Sequence, residues 1–283
     1  MPAFTFVDQP DRIATDFPAL EYVGVDTEFM RERTFFSRLC LVQVATPDEI
    51  LCVDPLSGHS MDGFWLQLNK STWVLHSARQ DIEVILHTAN FMPASIFDTQ
   101  VAAGLLGMAP QIGYAGLVKE LFDVEIPKSH TRADWTRRPL PEALLHYAAE
   151  DVEYLLPARD ELAARLERVG RLEWARQDSS LLLDPALYDV DPMNAIARLK
   201  GGRNLRGRRQ AAAARLAAWR ESEALKRDRP RQWILRDTVL VDIAHRLPET
   251  RSQLSRIKDI PPKVVQRSGE RILEAVAASA DDS

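Results

Sequence analysis

Two carboxylates two residues apart, Asp26 and Glu28 in the run VDTEF, are the first residues whose types and spacing suggest chemistry. On an extended strand side chains alternate, so both acids point to one face while Val25, Thr27 and Phe29 point to the other. Oxygen donors side by side suit a hard divalent cation. A second pair stands in HYAAEDVEYLL, where Tyr147 and Asp151 are four residues apart and share one face of a helix. Between these pairs, Asp81 in HSARQDIE falls near a helix start, where an acid also serves as a cap or a dipole partner. His76 nearby reads as a structural histidine, because oxygen ligands suffice for magnesium. Residues 124–140 crowd Lys128, Arg132, Arg137 and Arg138 around Trp135. We read this stretch as a functional surface loop, in which Trp135 stacks a terminal base while Arg137 or Arg138 meets phosphate.

These side chains need a scaffold, and the apolar pattern outlines one. Residues 22–29, 39–46 and 49–53 are short, β-branched and apolar, with a turn at Thr46-Pro47-Asp48, and predict a three-stranded meander. Helical spacing at 61–68 and 80–88 alternates with strand character at 72–75 and 95–97, which gives a mixed α/β sheet. Further helices are predicted at 115–122 and, as one long element, at 141–169, with Pro141 at the favoured first position. Asp184-Pro185 and Asp191-Pro192 read as a linker. Beyond it, helical spacing recurs at 209–226, 238–247, 250–258 and 263–278, and Thr250 with Gln253 forms a capping box. The expected core of this small bundle comprises Leu216, Trp219, Trp233, Ile234, Leu240, Ile243, Leu254, Ile257, Ile272 and Val276.

Charge divides along the same boundary. Residues 1–195 carry 16 Lys and Arg against 30 Asp and Glu, whereas the remainder carries 20 against 11, so an acidic body joins a basic tail within a chain of net charge −5. A basic appendage is the electrostatic footprint of nucleic-acid binding. At 283 residues, 46% hydrophobic and 27% charged, the chain is neither disordered nor fibrous, and two globular domains are expected. No apolar run is long enough for a membrane span, and the first residues lack the basic flank of a secretory signal, so a cytoplasmic protein without membrane contact is expected. Cys40 and Cys52, the only cysteines, indicate neither a disulfide framework nor a thiolate zinc site.

Taken together, these motifs resemble the ribonuclease D branch of the DEDD 3′→5′ exonucleases, in the subclass with a tyrosine in its third motif. The match rests on Asp26 and Glu28 in VDTEF, Asp81 in HSARQDIE and Tyr147 with Asp151 in YAAED, and on LCLVQVAT, FDTQ and DWTRRPL around them. It covers residues 4–175. The tail resembles the helicase-and-ribonuclease-D C-terminal (HRDC) module, best at LAAWRE and RPRQWIL. One such module fits before Ser283, where bacterial ribonuclease D commonly carries two.

The resemblance implies a ribonuclease-H-like mixed-sheet exonuclease domain over residues 1–190, including a connecting helix and linker, followed by an all-α, HRDC-like nucleic-acid-binding bundle over residues 205–283. It also implies two divalent ions, Mg²⁺ or Mn²⁺, with Asp26, Glu28 and Asp151 on the first, Asp26 bridging to the second, and Asp81 reaching the second largely through water. Tyr147 would orient the attacking water. The implied activity is trimming of RNA 3′ ends, precursor tRNA above all, with release of 5′-mononucleotides by a chain acting as a monomer. A DNA 3′→5′ exonuclease and an inactive nucleic-acid-binding scaffold are the alternatives.

Overall fold

The computed structural model describes residues 2–11, 20–126 and 133–280. The chain divides into two compact units: residues 1–30 with 37–188, and residues 31–36 with 189–283.

The first unit is built on a six-stranded sheet of order β1-β4-β3-β2-β5-β6. Its strands are β1 (Thr5–Val7), β2 (Tyr22–Met30), β3 (Arg38–Ala45), β4 (Ile50–Val53), β5 (Thr72–Leu75) and β6 (Ile96–Asp98). β2, β3 and β4 form the expected antiparallel meander. β1 adds in parallel to β4, while β5 and β6 continue in parallel from β2, so the sheet is mixed. Helices cover both faces: α1 (Asp62–Leu68), α2 (Arg79–Ala89), α3 (Thr99–Leu105), α4 (Tyr114–Phe122), α5 (Glu142–Glu153), α6 (Leu155–Arg168) and α7 (Leu172–Ser180). Strand alternation sorts the core. Val23 and Val25 of β2 join Trp73, Ile82 and Ile85 on the α2 face, whereas Leu41, Ala45 and Cys52 join Leu144, Ala148 and Leu155 on the other.

The long helix expected over 141–169 is two helices that meet at Tyr154. Pro157 explains the break, since it has no N–H for the carbonyl of Glu153 and its ring crowds that carbonyl. At the junction the N–H of Tyr154 donates to the Tyr114 hydroxyl at 2.9 Å. Gly24 lets this helix pair settle onto the sheet: a β-carbon there would stand 3.1 Å from both Ala45 and Leu155.

The second unit contains α8 (Arg208–Lys226), α9 (Arg231–Ile234), α10 (Asp237–Arg246), α11 (Arg251–Ser255) and α12 (Pro262–Ala277). Short 3₁₀ turns lead into it, capped by the Asp184 and Asp191 carboxylates that precede their prolines. Thr250 and Gln253 form the capping box at the start of α11. Leu216, Leu240, Ile243, Leu254, Ile257, Ile272 and Val276 pack as one core. Of the other expected core residues, Trp219 packs against this core partly buried, Ile234 joins a separate cluster with Phe35 and Ala224, and Trp233 leaves the core altogether, 59% exposed with the Arg229 guanidinium 6.0 Å from its ring centre. The same unit takes in residues 31–36, whose Phe35 packs on Ala224 and Ile234 and donates its N–H to Asp228 Oδ1 at 2.8 Å.

Candidate active site

β2 and β5 run parallel and pair only through Tyr22–Gly24 and Thr72–Val74. Asp26 and Glu28 therefore lie past the paired stretch, toward the C-terminal end of β2. In parallel sheets that edge is where ligands are met. The chain leaving β5 enters α2, whose first turn carries Asp81. Asp98 fixes this entry by accepting from the N–H groups of Ser77 (3.2 Å) and Ala78 (2.8 Å) while it caps α3. From the opposite face, α5 brings Tyr147 and Asp151, one turn apart.

The alternation of β2 divides the acids between the two faces. Asp26 and Glu28 share the α5 face. Thr27 points the other way and donates its hydroxyl to Asp81 Oδ1 at 2.5 Å, which ties the α2 acid to the strand that carries the other two. Thr27 is thus a site residue that the carboxylate pattern alone did not reveal.

The four carboxyls lie within electrostatic reach of one another, and all are held toward their protonated forms. Burial raises Asp26 well above the ordinary carboxylate value, and the nearby charges of Asp81, Asp151 and Glu28 raise it further. Burial, then Asp151 and Asp81, push Glu28 up to about 8. Asp81 is pushed up to about 7 by burial against the opposing pull of the Thr27 hydroxyl. Asp151 is also pushed up to about 7 by burial, although it accepts a hydrogen bond from Tyr147. The Tyr147 phenol lies above its ordinary value through burial and the charges of Asp151 and Glu28. It is therefore a hydrogen-bond donor at neutral pH and not a base.

Among the described residues no three His, Cys, Asp or Glu side chains converge closely enough to grip an ion as placed. The donor set nevertheless fits a hard divalent cation: four carboxyls, that of Asp81 buried and the other three partly buried, all oxygen, whose repulsion a positive ion would relieve. Tyr114 of α4 lies beside them. Burial, and after it the charges of Asp151 and Asp26, raise its phenol above the usual value, and its hydroxyl donates to the Glu150 carbonyl at 3.3 Å. His76 is held by the Thr99 hydroxyl and the Ile112 carbonyl, each at 2.9 Å.

The basic loop differs from its expectation. Lys128 lies outside the described residues. Trp135 is 4% exposed and packs in the core with Leu140 and Leu144, its ring 6.2 Å from that of Tyr147. The cause is local: Asp134 accepts from the Thr136 N–H (3.0 Å) and hydroxyl (2.5 Å), and this turn rolls the intervening indole inward. A base cannot stack on a ring so covered. Arg138 is committed to its own chain as well. It binds Asp54 through Nε (2.7 Å) and Nη2 (2.6 Å) and also donates to the carbonyls of Cys40, Trp135 and Arg137. Of the described basic residues in this loop, Arg137 is exposed.

Comparison with known proteins accords with this arrangement. Residues 4–167 match the 3'-5' exonuclease family and residues 209–276 the HRDC domain. The ribonuclease D of Gluconacetobacter diazotrophicus is 42% identical over 262 residues, covering 91% of this chain and 66% of that protein. The curated relatives are longer, and the chain spans 60–73% of their lengths. Among solved structures, Escherichia coli RNase D, an exoribonuclease involved in structured RNA processing, superimposes with a TM-score of 0.85 at 28% identity, over 98% of this chain and 75% of that one. Brucella melitensis NrnC with bound Mg²⁺ gives 0.51 at 31% identity, over 58% of this chain and 82% of that one. The exonuclease match takes in every carboxylate of the site, and curated relatives 36–42% identical over most of this chain carry the name ribonuclease D: the chain belongs to the ribonuclease D family of divalent-metal-dependent 3′-5′ exoribonucleases.

Proposed function

We propose that this chain shortens RNA from the 3′ end one nucleotide at a time, releasing 5′-mononucleotides, with precursor tRNAs and other single-stranded 3′ extensions as substrates. It acts as a monomer in the cytoplasm. The observation that carries the reading is the gathering of Asp26, Glu28, Asp81 and Asp151 with no cationic side chain among the groups that shift them.

Asp26, Glu28 and Asp151 would hold one Mg²⁺ or Mn²⁺ ion, and Asp26 with Asp81 a second. When bound, such ions neutralise phosphoryl charge, acidify water and stabilise the leaving oxygen. The Tyr147 hydroxyl, a donor beside Asp151, orients the attacking water, and Trp135 buttresses its ring. Exposed Arg137 meets backbone phosphate. The basic helical unit holds the body of the RNA.

The test is cleavage of a 5′-labelled precursor tRNA with a 3′ extension, resolved over time with Mg²⁺, Mn²⁺ or EDTA. A metal-dependent ladder descending by single nucleotides is expected. An intact band together with clear RNA binding would replace the enzyme with a binding scaffold. Equal shortening of a matched DNA would replace the ribonuclease with a nuclease indifferent to the 2′-hydroxyl.

A further inference from the structure

Gln43 stands at the centre of β3, fully buried, and neither its amide nitrogen nor its amide oxygen finds a hydrogen-bond partner. Buried side-chain amides are almost always paired, because leaving them unpaired forfeits the hydrogen bonds that water gave them. The register locates this one. In the antiparallel ladders Gln43 is directly opposite Asp26 on one side and Cys52 on the other. Directly opposite residues project to the same face with their β-carbons about 4.5–5.5 Å apart, within reach of a glutamine side chain. Leu41 and Ala45, two positions away on that face, belong to the apolar cluster closed by Leu144, Leu145 and Ala148 of α5. The Cys52 thiol is turned to the Leu145 carbonyl. Of the two side chains opposite Gln43, Asp26 is therefore the one able to take up its amide.

Among the described residues, Gln43 is the one buried side chain that leaves two polar atoms without a hydrogen-bond partner. Asp98 accepts from four backbone N–H groups, and Asp54 accepts two bonds from Arg138 and one from the Leu56 N–H. The amide beside the central carboxylate of the site stands apart from these two fully engaged acids. Polar groups kept at a cost to the fold cluster where function requires them.

We propose that Gln43 is a positioning residue for Asp26: when a divalent cation is bound, its Nε2–H group donates to one carboxylate oxygen of Asp26 and sets the direction in which the other faces the ion. The bond is charge-assisted and therefore strong for its length. Outer partners of this kind orient ligands and tune their affinity for metal. The proposal rests on the reading of Asp26 as a cation ligand.

Gln43→Met keeps the length of the side chain and removes both polar atoms. The measurements are the melting temperature of the full chain in EDTA and its Mn²⁺ affinity by titration calorimetry, with Asp26→Asn alongside. Gln43→Met is expected to melt no lower than the parent chain in EDTA, because an unpaired amide has been replaced by an apolar group, and to bind Mn²⁺ about 10-fold more weakly. A merely structural glutamine would give the reverse. A lower melting temperature, or unchanged Mn²⁺ affinity while Asp26→Asn abolishes binding, overturns the role of Gln43 and leaves the cation site standing. If the parent chain itself binds no Mn²⁺ that Asp26→Asn removes, the cation site fails and the proposal falls with it.

Discussion

In the helical unit Glu221, Glu223 and Asp237 are buried, and each meets guanidinium groups. Glu221 takes Arg231 and Arg198, Glu223 takes Arg227 and Arg271, and Asp237 takes Arg220 at 2.6 Å. In the sheet unit Asp26, Glu28 and Asp151 are also withdrawn from water, yet the charges nearest them are other carboxylates. The residue types are the same and the local solutions are opposite. Paired buried charges hold a fold together, whereas like charges gathered without a counter-charge weaken it and persist where a ligand brings the missing charge. The first arrangement should therefore break when a charge is removed, and the second should relax.

Asp26→Asn gives the largest contrast. Cleavage of 3′-extended RNA should fall by more than about 100-fold, since even outer partners of metal ligands cost about 10–100-fold. The metal-free protein should meanwhile melt higher than its parent, because the asparagine ends a repulsion felt from three sides. A fall in both activity and melting temperature would mean that Asp26 supports the fold and not the site. Tyr147→Phe comes next: loss of the orienting hydroxyl should lower kcat by about 100-fold, a cost typical of a misplaced reactant. Mn²⁺ affinity, read by calorimetry, should change little. Near-parental kcat would reduce Tyr147 to packing.

Arg220→Met tests the opposite side of the comparison. Arg220 Nη1 donates to Asp237 and to the Leu235 carbonyl at 3.0 Å, both in a buried setting. Removing it strands Asp237, and breaking a buried pair in this way costs about 3–5 kcal/mol in urea titrations. Adding Asp237→Leu to the same chain should recover much of that loss, because the orphaned charge goes too. No recovery would show that Arg220 contributes through packing.

The acid cluster also predicts how stability follows pH. Glu28, Asp81 and Asp151 titrate near 7 to 8 in the folded chain and at about 4 when unfolded. Groups that bind protons more tightly when folded stabilise the fold fully below the unfolded value, and this contribution is lost as pH climbs through 7 to 8. In EDTA the melting temperature should therefore decline by several degrees between pH 5 and pH 8. Mg²⁺ should raise it more at pH 8 than at pH 5, since it replaces the missing protons. Equal Mg²⁺ shifts at both values would separate the ion from these carboxyls.

What the sequence revealed of this design follows from the range of each signal. Asp26 with Glu28, and Tyr147 with Asp151, were legible because periods of two and of four are local properties of strand and helix. The meander and the helical tail were legible for the same reason. The Arg138–Asp54 pair was not, because 84 positions separate partners that only the folded sheet brings together. Two of the six tryptophans misled in complementary ways. An indole reports a large apolar surface but not where that surface faces, so Trp135 in a polar stretch turned out buried and Trp233, next to Ile234 and Leu235, exposed. The Asp134 turn was visible as residues, though the direction in which it rolled the indole was not. Pro157 in YLLPARD did mark the break between α5 and α6, and the apolar spacing on either side masked it.

The smallest effect sharpens the comparison most finely, because it separates pairing from burial. Arg246 and Asp242, one turn apart on α10, form an ion pair at 2.7 Å with geometry as good as that of Arg220 and Asp237. The difference is solvent: the Arg246 side chain is 60% exposed and that of Arg220 is 3% exposed. Water and salt screen the outer pair, and holding two long side chains in register costs entropy, so Arg246→Ala should shift stability by no more than about 0.5 kcal/mol. Raising the salt concentration should remove most of that shift while leaving the Arg220→Met loss nearly intact, since buried charges lie beyond the reach of screening. If Arg246→Ala instead costs as much as Arg220→Met, pairing itself and not burial sets the value of these charges. The unpaired acids of the sheet unit would then weaken the fold through lack of partners alone, however deep they lie.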